Sequence, residues 1–87
     1  MAALFRLSIL TPEESVFEGE VSYVEAPGTE GYLDVLAHDA PLVTALSSGT
    51  LTVREASGSE SRWHVAGGFF EVSNNIATVL ADAVSEA

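Results

Sequence analysis

Hydrophobic and polar residues alternate with period two along most of this chain, the period at which successive side chains of a strand turn to opposite faces of a sheet. Within residues 3–10, Phe5, Leu7 and Ile9 share one face while Leu4, Arg6 and Ser8 share the other. Thr11-Pro12-Glu13-Glu14 breaks that run. Val16-Phe17 and residues 21–24 read as the next strands, separated at Gly19 and closed by the turn dipeptide Pro27-Gly28. Residues 32–36 follow with Leu33 and Val35 inward, then 42–46, 50–54, 62–66, 69–72 and 76–81. Ser48-Gly49, residues 56–61, Gly67-Gly68 and Ser73-Asn74-Asn75 lie between them, a turn about every 8–12 residues, as in a β-sandwich or barrel. The alanine-rich segment 77–87 carries Thr78, Val79 and Val84 in its interior and no glycine cap, so it reads as a strand through Ala81 with a frayed tail and not as a helix. Leu7, Ile9, Leu33, Val35, Leu51, Val53, Val65, Val72 and Val79 are the expected core.

Composition narrows the classes open to such a fold. At 87 residues there is room for one core and one domain, and 47% hydrophobic against 18% charged residues is a balance that folds. Thirteen acids face three arginines and no lysine, a formal charge of −10 that repels a phosphate backbone, so nucleic acid is not an expected partner. With no cysteine, disulfides, thiolate metal sites and a cysteine nucleophile are all excluded. No apolar stretch approaches the roughly 20 residues of a membrane helix, so direct insertion into a bilayer is not expected.

Few residues could carry chemistry. His38-Asp39 is the one adjacent histidine and carboxylate, but neighbours in extended chain point apart and no Gly-x-Ser-x-Gly elbow accompanies them. The pair reads as a turn ahead of Pro41. Glu30, Asp34, His38 and Asp39 match no calcium-loop or histidine-pair spacing. Glu13, Glu14, Glu18, Glu20 and Glu25 read as a solvated acidic edge, lacking the cleft that a glycosidase carboxylate pair needs. Neither a catalytic residue nor a metal or cofactor is therefore expected. Gly67-Gly68 lacks the spacing of a phosphate-binding loop and reads as a place where backbone passes close to backbone. Phe69-Phe70 is more informative: one ring must enter the core and the other leave it. With Leu42-Val43, the outward ring marks a surface that other subunits cover. A ligand- or peptide-binding sandwich is the alternative, with Tyr32 and Trp63 as its aromatic candidates.

Longer motifs carry a resemblance. Thr29-Glu30-Gly31-Tyr32-Leu33-Asp34-Val35, then His38-Asp39-Ala40-Pro41-Leu42-Val43-Thr44-Ala45-Leu46 and Gly49, is similar to the S/T-E-G-x-L-G-V/I and G-H-A-P-L-x-T-x-L segments of the epsilon subunit of F-type ATP synthase. Val65-Ala66-Gly67-Gly68-Phe69-Phe70-Glu71-Val72 and Thr78-Val79-Leu80-Ala81-Asp82 resemble that family's Gly-Gly strand pair and its closing T-V-L-A-D. Leu7-Ser8-Ile9-Leu10-Thr11-Pro12, Val16-Phe17 and Gly19-Glu20-Val21 resemble its opening.

The resemblance implies an all-β, two-layer antiparallel sandwich of about ten strands, spanning 1–87 as one domain. It implies a non-catalytic rotor subunit of the central stalk, on the cytoplasmic face of the bacterial plasma membrane, that couples rotation to ATP synthesis. The implied partners are the gamma subunit and the c ring, whose polar loops typically present a basic residue. By the same resemblance Glu30, Gly31 and Tyr32 would contact the c ring, and His38, Asp39, Pro41, Leu42, Val43, Phe69 and Phe70 the gamma subunit. Two positions depart from the family pattern: His38-Asp39 stand where the family has glycine and histidine, and bulky Tyr32 follows Glu30-Gly31. Only residues 83–87 follow the closing motif, so neither the inhibitory helical hairpin nor ATP sensing is expected of this chain.

Overall fold

The computed structural model describes residues 3–87, in which nine strands and no helix occur. They are β1 (Phe5–Leu10), β2 (Ser15–Gly28), β3 (Gly31–Val35), β4 (Leu42–Leu46), β5 (Gly49–Glu55), β6 (Glu60–Val65), β7 (Gly68–Ser73), β8 (Ile76–Ala81) and β9 (Val84–Glu86). One layer runs β1-β8-β7-β4 and the other β3-β2-β5-β6-β9, and β2 stitches them together. Its first half pairs with β1, while its second half lies between β3 and β5. Gly19 does not interrupt the strand: it pairs with Leu7 inside an unbroken 14-residue β2, where Phe17 fills the space beside it. Pro27-Gly28 likewise stays in β2, paired with Tyr32 and Gly31, and the chain reverses at Thr29-Glu30.

The pairings are antiparallel except β1 with β8, which is parallel. The tail beyond Asp82 is not frayed: β9 adds to the edge of β6, where Val84 pairs with Val65 and Trp63 with Glu86. Backbone hydrogen bonds that the edge of β6 would otherwise offer to water recruit this segment, a long-range effect invisible to local pattern.

Of the expected core, Leu7, Ile9, Val35, Leu51, Val53, Val65, Val72 and Val79 are buried. Leu33 is only partly so, because β3 is an edge strand whose side chains are covered from one flank. Phe5, Val21, Val24, Ala26, Leu46, Phe70, Ala77 and Ala81 complete the core, and among the described residues no polar or charged one is buried with them.

Candidate functional site

Strand register sorts the surface into two unlike faces. On the outside of the β1-β8-β7-β4 layer, consecutive pairing places Leu10, Leu80, Phe69 and Ala45 in one row across four strands. The row beside it holds Ser8, Thr78, Glu71 and Val43. Phe69 is 57% exposed and Leu80 50% at the centre of the apolar row, Leu10 and Ala45 are half-buried at its ends, and Val43 in the next row is 69% exposed. Cross-strand neighbours at this spacing touch, which makes the row a continuous stripe. The outside of the other layer is polar, carrying Tyr23, Glu25, Asp34, Thr52, Arg54 and Arg62.

Phe70 points the other way, is fully buried and leaves the set of contact residues, because Val72 two positions on shares its inward face. Leu42 also turns inward and packs against the core, leaving Val43 as the outward member of that pair.

The two ends of the sandwich divide the remaining candidates. At one end Gly28, Leu46, Gly68 and Ala81 pair in succession, and the turns beyond them interlock. There Ser47 N–H donates to Pro27 O (2.9 Å), Thr29 N–H to Ala45 O (3.1 Å) and Asp82 N–H to Gly67 O (3.3 Å). Glu30 sits exposed at the tip of its turn; Glu30 and Asp82 charge this end and no arginine lies in these turns. All three arginines are engaged elsewhere, Arg6 with Glu18 at 3.2 Å, and Arg54 and Arg62 with Glu60 at 3.5 and 2.6 Å. Tyr32 is not at the loop tip. It lies in β3 opposite Pro27, and its hydroxyl accepts a hydrogen bond from Thr50 N–H at 3.0 Å.

His38, Asp39 and Pro41 occupy the β3–β4 loop at the opposite end. Asp39 Oδ2 accepts from Leu36 N–H (2.9 Å), so its carboxylate closes a turn and does not orient the imidazole of His38. His38 adopts φ 64° and donates its backbone N–H to Asn75 Oδ1 at 2.8 Å. Glu30 is therefore remote from His38-Asp39, and Asp34 accepts from the Tyr23 hydroxyl at 3.1 Å, so the four possible metal ligands are not brought together. Among the described residues no three histidine or acidic side chains gather as metal ligands.

Neither aromatic candidate of the alternative reading forms a platform. Trp63 turns toward the core, with its indole N–H buried and unpartnered among the described residues, and Tyr32 is tied across β2. A cleft of about 280 Å³ opens between Ser48-Gly49, residues 64–66 and residues 83–85, but His64 is its one titratable group, short of the convergent polar set that ligand recognition uses.

On the polar face, the Arg54 guanidinium lies 5.1 Å over the Tyr23 ring. Burial of the ring, the hydrogen bond to Asp34 and the charges of Asp34 and Glu25 hold the Tyr23 phenol above its ordinary 10.0, with Arg54 opposing. A raised folded-state pKa contributes stability below the unfolded value that is lost as pH climbs through the folded one. Thermal melts should therefore fall more steeply with pH above about pH 10 in the wild type than in Tyr23→Phe, whereas near neutral pH, where the contribution of Tyr23 is fully present, neither melt changes with pH through this group.

The sequence profile of the family described as ATP synthase, Delta/Epsilon chain, beta-sandwich domain matches residues 4–87. The chain belongs to this family. It is 48% identical over 87 residues to the ATP synthase epsilon chain of Desulforamulus reducens, covering 100% of this chain and 65% of that one. It is 46% identical over 81 residues to the ATP synthase epsilon chain of Chlorobaculum tepidum, covering 93% of this chain and 92% of that one. The family thus includes relatives of about this length and others that this chain spans for only 60% to 65%.

The fold also matches a chain of the Euglena gracilis mitochondrial ATP synthase, in a structure of OSCP, F1 and c-ring, with a TM-score of 0.91 at 22% identity over 99% of this chain and 55% of that one. A chain of the Tetrahymena thermophila mitochondrial ATP synthase central stalk and c-ring superposes with a TM-score of 0.79 at 18% identity, over 98% of this chain and 68% of that one. At these identities the likeness is one of fold.

Proposed function

We propose that this chain is a non-catalytic rotor subunit of a proton-translocating ATP synthase, joining the gamma subunit to the c ring so that rotation is coupled to ATP synthesis. The observation that carries this reading is the stripe Leu10–Leu80–Phe69–Ala45, exposed at its centre on one face of a sandwich whose other face is polar. An apolar stripe of this kind on a small rigid scaffold is what a protein partner covers. Gamma docks against it through Phe69 and Leu80 and extends along the same face over Val43 to His38, Asp39 and Pro41 in the β3–β4 loop, at the far end of that face from the stripe. The c ring meets the opposite end at Glu30 and Gly31, with Tyr32 bracing the turn from β3. The domain spans 1–87 as one unit and sits peripherally on the membrane, on the cytoplasmic face of a bacterial plasma membrane.

Capture of gamma and the c ring by the tagged chain from solubilised membranes tests the assignment. Recovery of neither would overturn it.

The acidic end makes a separate prediction. Glu30 and Asp82, unaccompanied by arginine in their turns, should steer docking toward basic polar loops of the ring. The association rate should fall on the order of tenfold as salt shortens the Debye length from about 30 Å at 0.01 M to about 10 Å at 0.1 M. Glu30→Lys should slow association at low salt and flatten that dependence. A rate independent of ionic strength would remove this turn from the electrostatic contact.

A further inference from the structure

Asn75 ties together three segments that are far apart in sequence. Its Nδ2 donates to Leu4 O at 2.9 Å, at the start of β1, and its Oδ1 accepts the His38 N–H at 2.8 Å, in the β3–β4 loop. Its own carbonyl accepts the Arg6 N–H at 3.2 Å. Asn74 and Asn75 have φ 52° and 62°, so the β7–β8 hairpin turns through two left-handed residues, a geometry in which asparagine is tolerated beside glycine. The turn alone would accept glycine at 75. The amide is what the rest of the end requires, since it supplies one donor and one acceptor to backbone groups of two other segments.

The loop it holds has little else to fix it. Leu36, His38, Asp39, Ala40 and Pro41 lie toward solvent, and the other restraints are the Asp39–Leu36 turn bonds and Ala37, which packs against the core. His38 sits in the left-handed region, where a residue with a bulky side chain stays only if its surroundings hold it.

We propose that Asn75 is a positioning residue for the β3–β4 loop: by clamping the His38 backbone against β1 and the β7–β8 turn, it presets the loop for docking on gamma. This rests on the reading that the loop lies at the rim of the gamma interface. An exposed loop that must be ordered on binding weakens association, and one ordered beforehand does not.

The test uses the full chain and two variants. Asn75→Gly keeps the turn conformation and deletes the amide; Asn75→Asp keeps an acceptor for the His38 N–H. Amide exchange is read without any partner. In Asn75→Gly the His38 amide should exchange at least about tenfold faster, while Phe70 and Val72 in β7 keep their protection. Affinity for gamma should fall about tenfold in Asn75→Gly and be regained only in part in Asn75→Asp, which keeps the acceptor for His38 but loses the donor to Leu4 O. An unchanged His38 exchange rate in Asn75→Gly would overturn the clamp. Faster exchange with unaltered gamma affinity would overturn the link to docking. Failure of the wild-type chain itself to bind gamma would instead overturn the interface reading and this proposal with it, an outcome distinct from either of the other two.

Discussion

Gly68→Ala should leave little or no folded protein. Gly68 has φ 117°, and a Cβ built there falls 2.0 Å from the Leu80 carbonyl oxygen and 2.8 Å from the Ala81 Cα. Both obstacles are backbone of the paired strand, since Gly68 is the partner of Ala81 in β8 and of Leu46 in β4. Rotating a side chain out of the way cannot relieve the clash. The row Gly28–Leu46–Gly68–Ala81 would have to open, and Leu46 and Ala81 are core residues. A substitution that strains the backbone and opens the core together costs about 4 kcal/mol or more. A chain of this size has about 4–13 kcal/mol in all. Neighbouring Gly67 has φ 77° and a milder obstacle, the flexible Asp82 carboxylate at 2.7 Å. Gly67→Ala should therefore retain a cooperative melt at lowered temperature where Gly68→Ala shows none. A melt for Gly68→Ala within a few degrees of wild type would show that this close approach is not required.

Phe69→Ala and Phe70→Ala should split cleanly into an association defect and a folding defect. Phe70 is fully buried among Val72, Val79 and the other core side chains, and its truncation leaves a cavity costing about 3–5 kcal/mol. Phe69 is 57% exposed in the outer row beside Leu80 and Ala45, so the isolated domain should lose about 1 kcal/mol or less. If gamma covers that row, an aromatic ring at its centre is a hot spot, and Phe69→Ala should weaken gamma binding by tenfold or more. Urea unfolding of each variant, with titration against gamma, reads the two effects separately. Equal destabilisation by both substitutions with gamma affinity intact would remove Phe69 from the interface.

The direction of the two rings was within reach of the primary structure. Val72 reads as core, and Phe70 shares its parity on the same strand, so the alternation that finds β7 also points Phe70 inward. Glu71 and Ser73 share the parity of Phe69 and are exposed. Other features of the candidate site left weaker traces. Asn74-Asn75 is recognisable as a turn, but nothing local shows that the amide of Asn75 reaches Leu4 and His38, 71 and 37 positions away. Tyr32 reads as the start of a strand, but only the sheet shows that its hydroxyl reaches across β2 to Thr50 N–H.

Alternation is a property of each residue and its immediate neighbours, imposed by the pleat and by the cost of burying polar groups. Residues 42–46 and 76–81 are accordingly strands with the bounds that period-two patterning assigns, and the buried valines fall at the expected parity. Family membership is legible in the same way, because its motifs are short strings around turns. Pairing is not local. The parallel junction of β1 with β8, the unbroken run of β2 through Gly19 and the recruitment of Val84–Glu86 to β6 all satisfy backbone groups of one segment with those of another far along the chain. The apolar stripe across four strands exists only once those partners are chosen, since register is what sets Leu10, Leu80, Phe69 and Ala45 side by side.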